Sequence, residues 1–195
     1  MDSLDLVRQH YTDSIQTKIM AADSISEVIS QAGQTITQAL INGNKIFTCG
    51  HGGGAANAQY LATLLVNRFE MERPPLPAIA LTTNTSSITA IASDYQYDRA
   101  FSKQLYALAH PNDILIIFMS PDQAAGIGTL LEVSREKQLI NIIITGEGPT
   151  ASPLSLTESD IEIKVPSNSN ARIQENHTLI THCLCDIVDQ TLFSL

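Results

Sequence analysis

The sequence predicts an α/β fold: a five-stranded parallel sheet with helices on both faces and two extra N-terminal helices ahead of the first strand. Three observations predict it. Short apolar runs alternate with helical stretches along the chain from residue 45 to residue 195. One of those runs, Ile114-Leu115-Ile116-Ile117-Phe118-Met119, has no polar alternation, as expected of a strand covered on both faces. Ahead of the first run, Ile25, Val28, Ile29, Ala32, Ile36, Ala39 and Leu40 recur at three- and four-residue steps, the period of a helix with one buried face.

The elements follow in order. Residues Asp5–Met20 read as a first helix and Ser24–Ile41 as a second, stopped by Asn42-Gly43-Asn44. This pair, within residues 1–43, must bury its apolar stripe somewhere, and a subunit interface is one option. Lys45–Cys49 is the first strand, and a helix runs on to about Phe69. Arg73-Pro74-Pro75-Leu76-Pro77 breaks the chain before the strand Ala78–Leu81. Thr85–Ser93 and Tyr97–Ala109 read as helices, Gln123–Lys137 as another, Ile140–Ile144 as a strand and Ile161–Val165 as an edge strand. Gly146–Ser159 is the most irregular stretch, and a long helix from about Ala171 to Leu192 closes the chain.

Length and composition narrow the function. The 195 residues form one domain with room for a sizeable core. A net charge of -9 argues against direct nucleic-acid binding, which needs basic surface, and suits a basic protein partner. The acidic, short N-terminal stretch reads as no signal peptide, and no run is long enough for a membrane span. Cys49, Cys183 and Cys185 read as buried free thiols of a reducing cytoplasm.

The stretch Cys49-Gly50-His51-Gly52-Gly53-Gly54 marks the turn between the first strand and its helix. Glycines there let a ligand approach the backbone, and a helix start offers free N–H groups to an anion. The same pattern also serves a tight strand–helix turn with no ligand. Its spacing fits neither the dinucleotide fingerprint nor the ATPase P-loop. In a parallel sheet, ligands bind beyond the carboxyl ends of the strands, so His51–Gly54, Ser93-Asp94, Met119–Ala124 and the start of the last helix are expected to converge.

The glycine run, together with Asn67-Arg68-Phe69, Glu72-Arg73-Pro74, Pro77–Ala80 and Ala171-Arg172-Ile173-Gln174-Glu175, resembles the sugar isomerase (SIS) domain in its phosphoheptose isomerase branch. The resemblance covers nearly the whole chain and implies a single SIS domain of flavodoxin-like form. Within that branch, Asp13–Thr17, Ala55–Gln59 and Cys183–Phe193 resemble the DnaA initiator-associating (DiaA) group.

The isomerase branch implies proton transfer between adjacent carbons of sedoheptulose 7-phosphate, assisted in many members by zinc. The metal ligands it implies are a His and a Glu after the glycine loop and a Gln and a His on the last helix. Here those positions hold Tyr60, Leu64, Gln174 and His182, so half a site remains and zinc is expected only if the chain is an isomerase. His182 then reads either as the one candidate catalytic residue or as an ordinary packing histidine. The family's hydroxyl-rich phosphate loop is replaced by Met119-Ser120-Pro121-Asp122-Gln123-Ala124. Locally Ser120 reads as a helix cap, Pro121 as the first turn and Asp122 as the answer to the helix dipole.

The phosphosugar pocket implied by the resemblance comprises His51, Gly52, Gly53, Ser93, Asp94, Ser120 and Gln174. Asp94 reads equally as a ligand to a sugar hydroxyl or as the cap of the helix near Tyr97. The DiaA-like reading implies a cytoplasmic homotetramer without catalysis or cofactor. The same resemblance implies binding of the replication initiator DnaA through an exposed Leu192-Phe193 pair after the last helix.

Overall fold

The computed structural model describes residues 2–122, 126–148 and 156–194. The expected start of a helix at Gln123 and the middle of the irregular stretch 146–159 lie outside those residues. In chain order the elements are α1 (Ser3–Ile41), β1 (Ile46–Gly50), α2 (Gly53–Val66), β2 (Ala78–Ala80), α3 (Thr85–Asp94), a 3-10 turn (Tyr97–Arg99), α4 (Ala100–Leu108), β3 (Ile114–Phe118), α5 (Ile127–Glu136), β4 (Ile140–Gly146), β5 (Ile161–Val165) and α6 (Asn170–Phe193).

The five strands form one parallel sheet in the order β2-β1-β3-β4-β5. The order reverses between β1 and β3, so the crevice at their carboxyl ends is where such a sheet takes ligands. Alternate residues of β1, β3 and β4 feed two cores. Ile46, Ile114, Ile116, Phe118, Ile142 and Ile144 pack under α1, α2 and α6. Phe47, Cys49, Leu115, Ile117 and Ile143 pack under α4 and α5. β5 lies at the edge with a one-in, one-out burial pattern, as its alternating sequence requires.

One expectation needs correction. The two N-terminal helices are a single 39-residue helix, α1. Nothing between Met20 and Ser24 breaks a helix: Ala21 and Ala22 favour it, and Asp23 tolerates it. The C-terminal part of α1 lies on α6 so closely that a Cβ on Gly33 would meet the Ile187 side chain at 2.7 Å. The N-terminal part carries Val7, Tyr11, Ile15 and Ile19, one every fourth residue, all exposed.

α6 also carries a buried histidine with no role in the pattern of motifs. His177 is fully buried against the ring of Phe118. Burial pushes its pKa down to about 4, so it is neutral in the fold. The unfolded chain takes up the proton at its ordinary pKa of about 6.5. Stability is therefore full above that value and falls as pH drops toward 4, by about 3 kcal/mol in all. Urea melts of wild type and His177→Leu between pH 7 and pH 5 check this. The variant is expected to show the shallower pH slope.

Candidate functional site

The site is built on the turn between β1 and α2. Gly52 sits at φ 54° and ψ -121°, a conformation open to glycine alone. The turn closes on itself: Gly54 N–H donates to the His51 carbonyl at 2.9 Å and Ala55 N–H to the Gly52 carbonyl at 3.1 Å. Two of the donors that an anion cradle would offer are thereby engaged. A Cβ on Gly54 would collide with the Phe118 carbonyl of β3. A Cβ on Gly53 would lie 2.9 Å from the Gln174 carboxamide. The glycines thus let β3, α2 and α6 meet at one point.

His51, which the sequence left unexplained, is held by aromatics from the other side of the crevice. Its ring lies 5.0 Å from that of Phe101 and 5.7 Å from that of Tyr97, with the Tyr97 hydroxyl 3.5 Å from Nδ1.

The seam between α2 and α6 carries the remaining candidates. Asn57 donates from Nδ2 to Oε1 of Gln174 at 2.7 Å and accepts at its own Oδ1 from the Thr178 hydroxyl at 3.1 Å. The Tyr60 hydroxyl pairs with Nε2 of His182 at 3.0 Å, and Phe69 stacks on the same imidazole at 5.5 Å. Leu64 packs against the core.

The donor atoms that would face a metal, Gln174 Oε1 and His182 Nε2, are both engaged by side chains of α2. One amide oxygen and one imidazole beside a leucine do not fit zinc, which takes three or four protein ligands. Among the described residues no group of three His, Cys, Asp or Glu side chains could hold a metal ion.

The other expected residues fall less centrally. Ser93 and Asp94 end α3 and are exposed, and the Asp94 carboxylate takes no hydrogen bond among the described residues. It does not cap the 3-10 turn, whose N-cap is Gln96. Ser120 is buried beyond the end of β3. It does not cap α5, which begins at Ile127 behind Gly126 with φ 74°. Pro121 and Asp122 therefore precede that helix instead of opening it. A Cβ on Gly126 would strike the Asp98 backbone, so the 3-10 turn packs closely against the start of α5. Phe193 is the last residue of α6 and half-buried, and Leu192 packs partly against the core, so the pair does not extend beyond the helix.

Asn57, Phe69, Tyr97 and Phe101 escaped the sequence reading. Asn57 had a signal: it lies three residues before Tyr60, on the same face of an otherwise small and apolar helix. The aromatics had none, because the contacts join separate segments.

The SIS domain family pattern matches residues 10–146. The chain belongs to the SIS-domain family. Its relatives place this SIS domain in the phosphoheptose isomerase branch. A phosphoheptose isomerase of Shewanella sediminis is 49% identical over 192 residues, covering 97% of this chain and 96% of the relative. The solved structure of a phosphoheptose isomerase from Francisella tularensis matches with a TM-score of 0.92 at 42% identity, over 97% of this chain and all of that one. A phosphoheptose isomerase structure from Neisseria gonorrhoeae matches at 0.89 and 36%, with the same coverage. No helix among the described residues is long and apolar enough to cross a membrane.

Proposed function

We propose that this SIS domain is a binding member of its branch, without metal-assisted isomerisation, that gathers the replication initiator DnaA on a cytoplasmic homotetramer. The observation that carries the loss of catalysis is the α2–α6 seam. Tyr60 pairs with His182 and Leu64 packs into the core, where the branch places a histidine and a glutamate. A missing acid–base group removes roughly a hundredfold to ten-thousandfold in rate. DnaA as partner rests on the likeness of Asp13–Thr17, Ala55–Gln59 and Cys183–Phe193 to the DiaA group.

An oligomer would multiply identical patches and raise the effective concentration of bound initiator. The stripe Val7, Tyr11, Ile15 and Ile19, with Tyr11 70% exposed, supports α1 as the self-interface. Tyr11→Glu with Ile15→Glu is expected to reduce the species seen by light scattering to the monomer.

The names of the relatives support a second reading, a phosphoheptose isomerase. Turnover of sedoheptulose 7-phosphate by the purified protein, with and without added zinc, separates the two. Turnover at an isomerase's rate would overturn the binding reading. In a DnaA pull-down, Phe193→Ala is expected to weaken capture while the oligomer and melting temperature stay unchanged. Leu192→Ala should lower both capture and stability, because Leu192 also packs on its own core. A sugar phosphate that raises the melting temperature without being turned over would indicate a sensor.

A further inference from the structure

The cations of this acidic chain are unevenly paired. Arg8, Lys45, Arg68, Arg73 and Arg172 each have a carboxylate at ion-pairing distance. The other six have none among the described residues; Lys18 is on α1 and Lys164 on β5, whereas Arg99, Lys103, Arg135 and Lys137 gather on the 3-10 turn, α4 and the end of α5. Glu132 and Glu136 are exposed on the same α5 but pair with none of them.

Two of these cations are instead held by rings. Lys103 Nζ lies 3.3 Å from the centroid of Tyr95, and Lys137 Nζ lies 4.1 Å from that of Tyr106. A ring face positions an ammonium without neutralising it. Between α4 and α5 runs a groove of about 250 Å³ lined by Arg99, Ser102, Lys103, Tyr106, Thr129 and Val133. Its walls therefore offer positive charge and an apolar floor together, on the face of the sheet away from α1, α2 and α6.

We propose that this groove docks an acidic, partly apolar segment of a partner protein. Its carboxylates meet Arg99 and Lys103, and an apolar side chain lies on Tyr106 and Val133. The net charge of -9 decides against a long polyanion, which would leave the patch and meet the negative remainder of the surface. A short segment feels mainly the charges within a Debye length, about 8 Å at physiological salt. The groove shares no lining residue with the glycine turn or with the Leu192-Phe193 end of α6, so it adds a second contact surface to the DnaA reading and does not depend on it.

Fluorescence anisotropy on the full chain tests this, with a labelled hexapeptide alternating glutamate and leucine as probe. Saturable binding that weakens as salt rises is expected. Lys103→Glu should weaken it about fivefold, and Arg99→Glu with Lys103→Glu further still. Lys164→Glu, which makes the same change in net charge on the exposed face of β5, should leave it unchanged. All these sites are on the surface, and an unchanged melting temperature would show the variants folded. Absence of saturable binding, or equal losses in Lys103→Glu and Lys164→Glu, would overturn the proposal. So would tighter binding of oligothymidylate, or displacement of the peptide by millimolar inorganic phosphate.

Discussion

Replacing Arg73 by methionine is expected to lower the unfolding free energy by about 3–5 kcal/mol, the usual cost of stranding one member of a buried ion pair. Arg73 and Asp189 have side chains 1% and 3% exposed, joined by a 3.0 Å bond from Nε to Oδ1. The guanidinium also donates to the Leu64 and Leu65 carbonyls at 2.7 and 2.6 Å. Those carbonyls belong to the last turn of α2, where the helix itself supplies no partner; Leu65 also accepts from the Leu76 N–H at 3.0 Å. One side chain thus closes α2, ties it to α6 and holds the segment carrying Phe69 against His182. Methionine would leave a buried carboxylate and the Leu64 carbonyl unanswered, while the Leu65 carbonyl keeps the Leu76 N–H at 3.0 Å. Arg73→Met combined with Asp189→Leu is expected to recover much of the loss, since a well-packed apolar pair can replace a buried ion pair at little cost. Chemical denaturation at neutral pH measures both. A loss under about 1 kcal/mol in the single variant would mean that water reaches the pair.

The second large effect is expected at Gly54. Gly54→Ala adds a single methyl, but the atom it meets is the Phe118 carbonyl, held in the sheet by the pairing of Gly50 with Phe118. A side-chain neighbour could turn away, whereas a strand backbone can move only with its ladder. Overpacking of this kind costs about 3 kcal/mol and can exceed it where backbone must shift. The α2–α6 seam should loosen with it, since Gly53 and Gln174 pack beside the same turn. Thermal melts of Gly54→Ala and Gly128→Ala make the comparison. Gly128 lies in α5 with no neighbour within 4 Å of an added Cβ, and its replacement is expected to stabilise by a few tenths of a kcal/mol or more. Equal melting temperatures for the two would refute the packing account.

These glycines also explain why the turn reads two ways from sequence. A strand–helix turn that cradles an anion and one that packs tightly under a neighbouring strand need the same residue, because both need the Cβ to be absent. In this chain the packing use accounts for Gly50, Gly53 and Gly54, and Gly52 supplies the backbone conformation. Whether a ligand also binds there depends on groups that the glycine pattern does not contain.

Hydrophobic period and chain punctuation by themselves determined the sheet, its five strands and the helices between them. Strand periodicity and buried apolar runs are local properties, legible wherever the partners turn out to be. Tyr60 and Leu64 were legible as departures for the same reason: a phenol and an isobutyl group cannot act as a histidine and a carboxylate in any fold. The tertiary structure alone decided what occupies the space they leave. That Tyr60 answers His182, that Asn57 takes the Gln174 oxygen, and that Tyr97 and Phe101 enclose His51 are contacts between elements far apart in the chain. No local pattern encodes such contacts, because each depends on how several elements pack on one sheet at once.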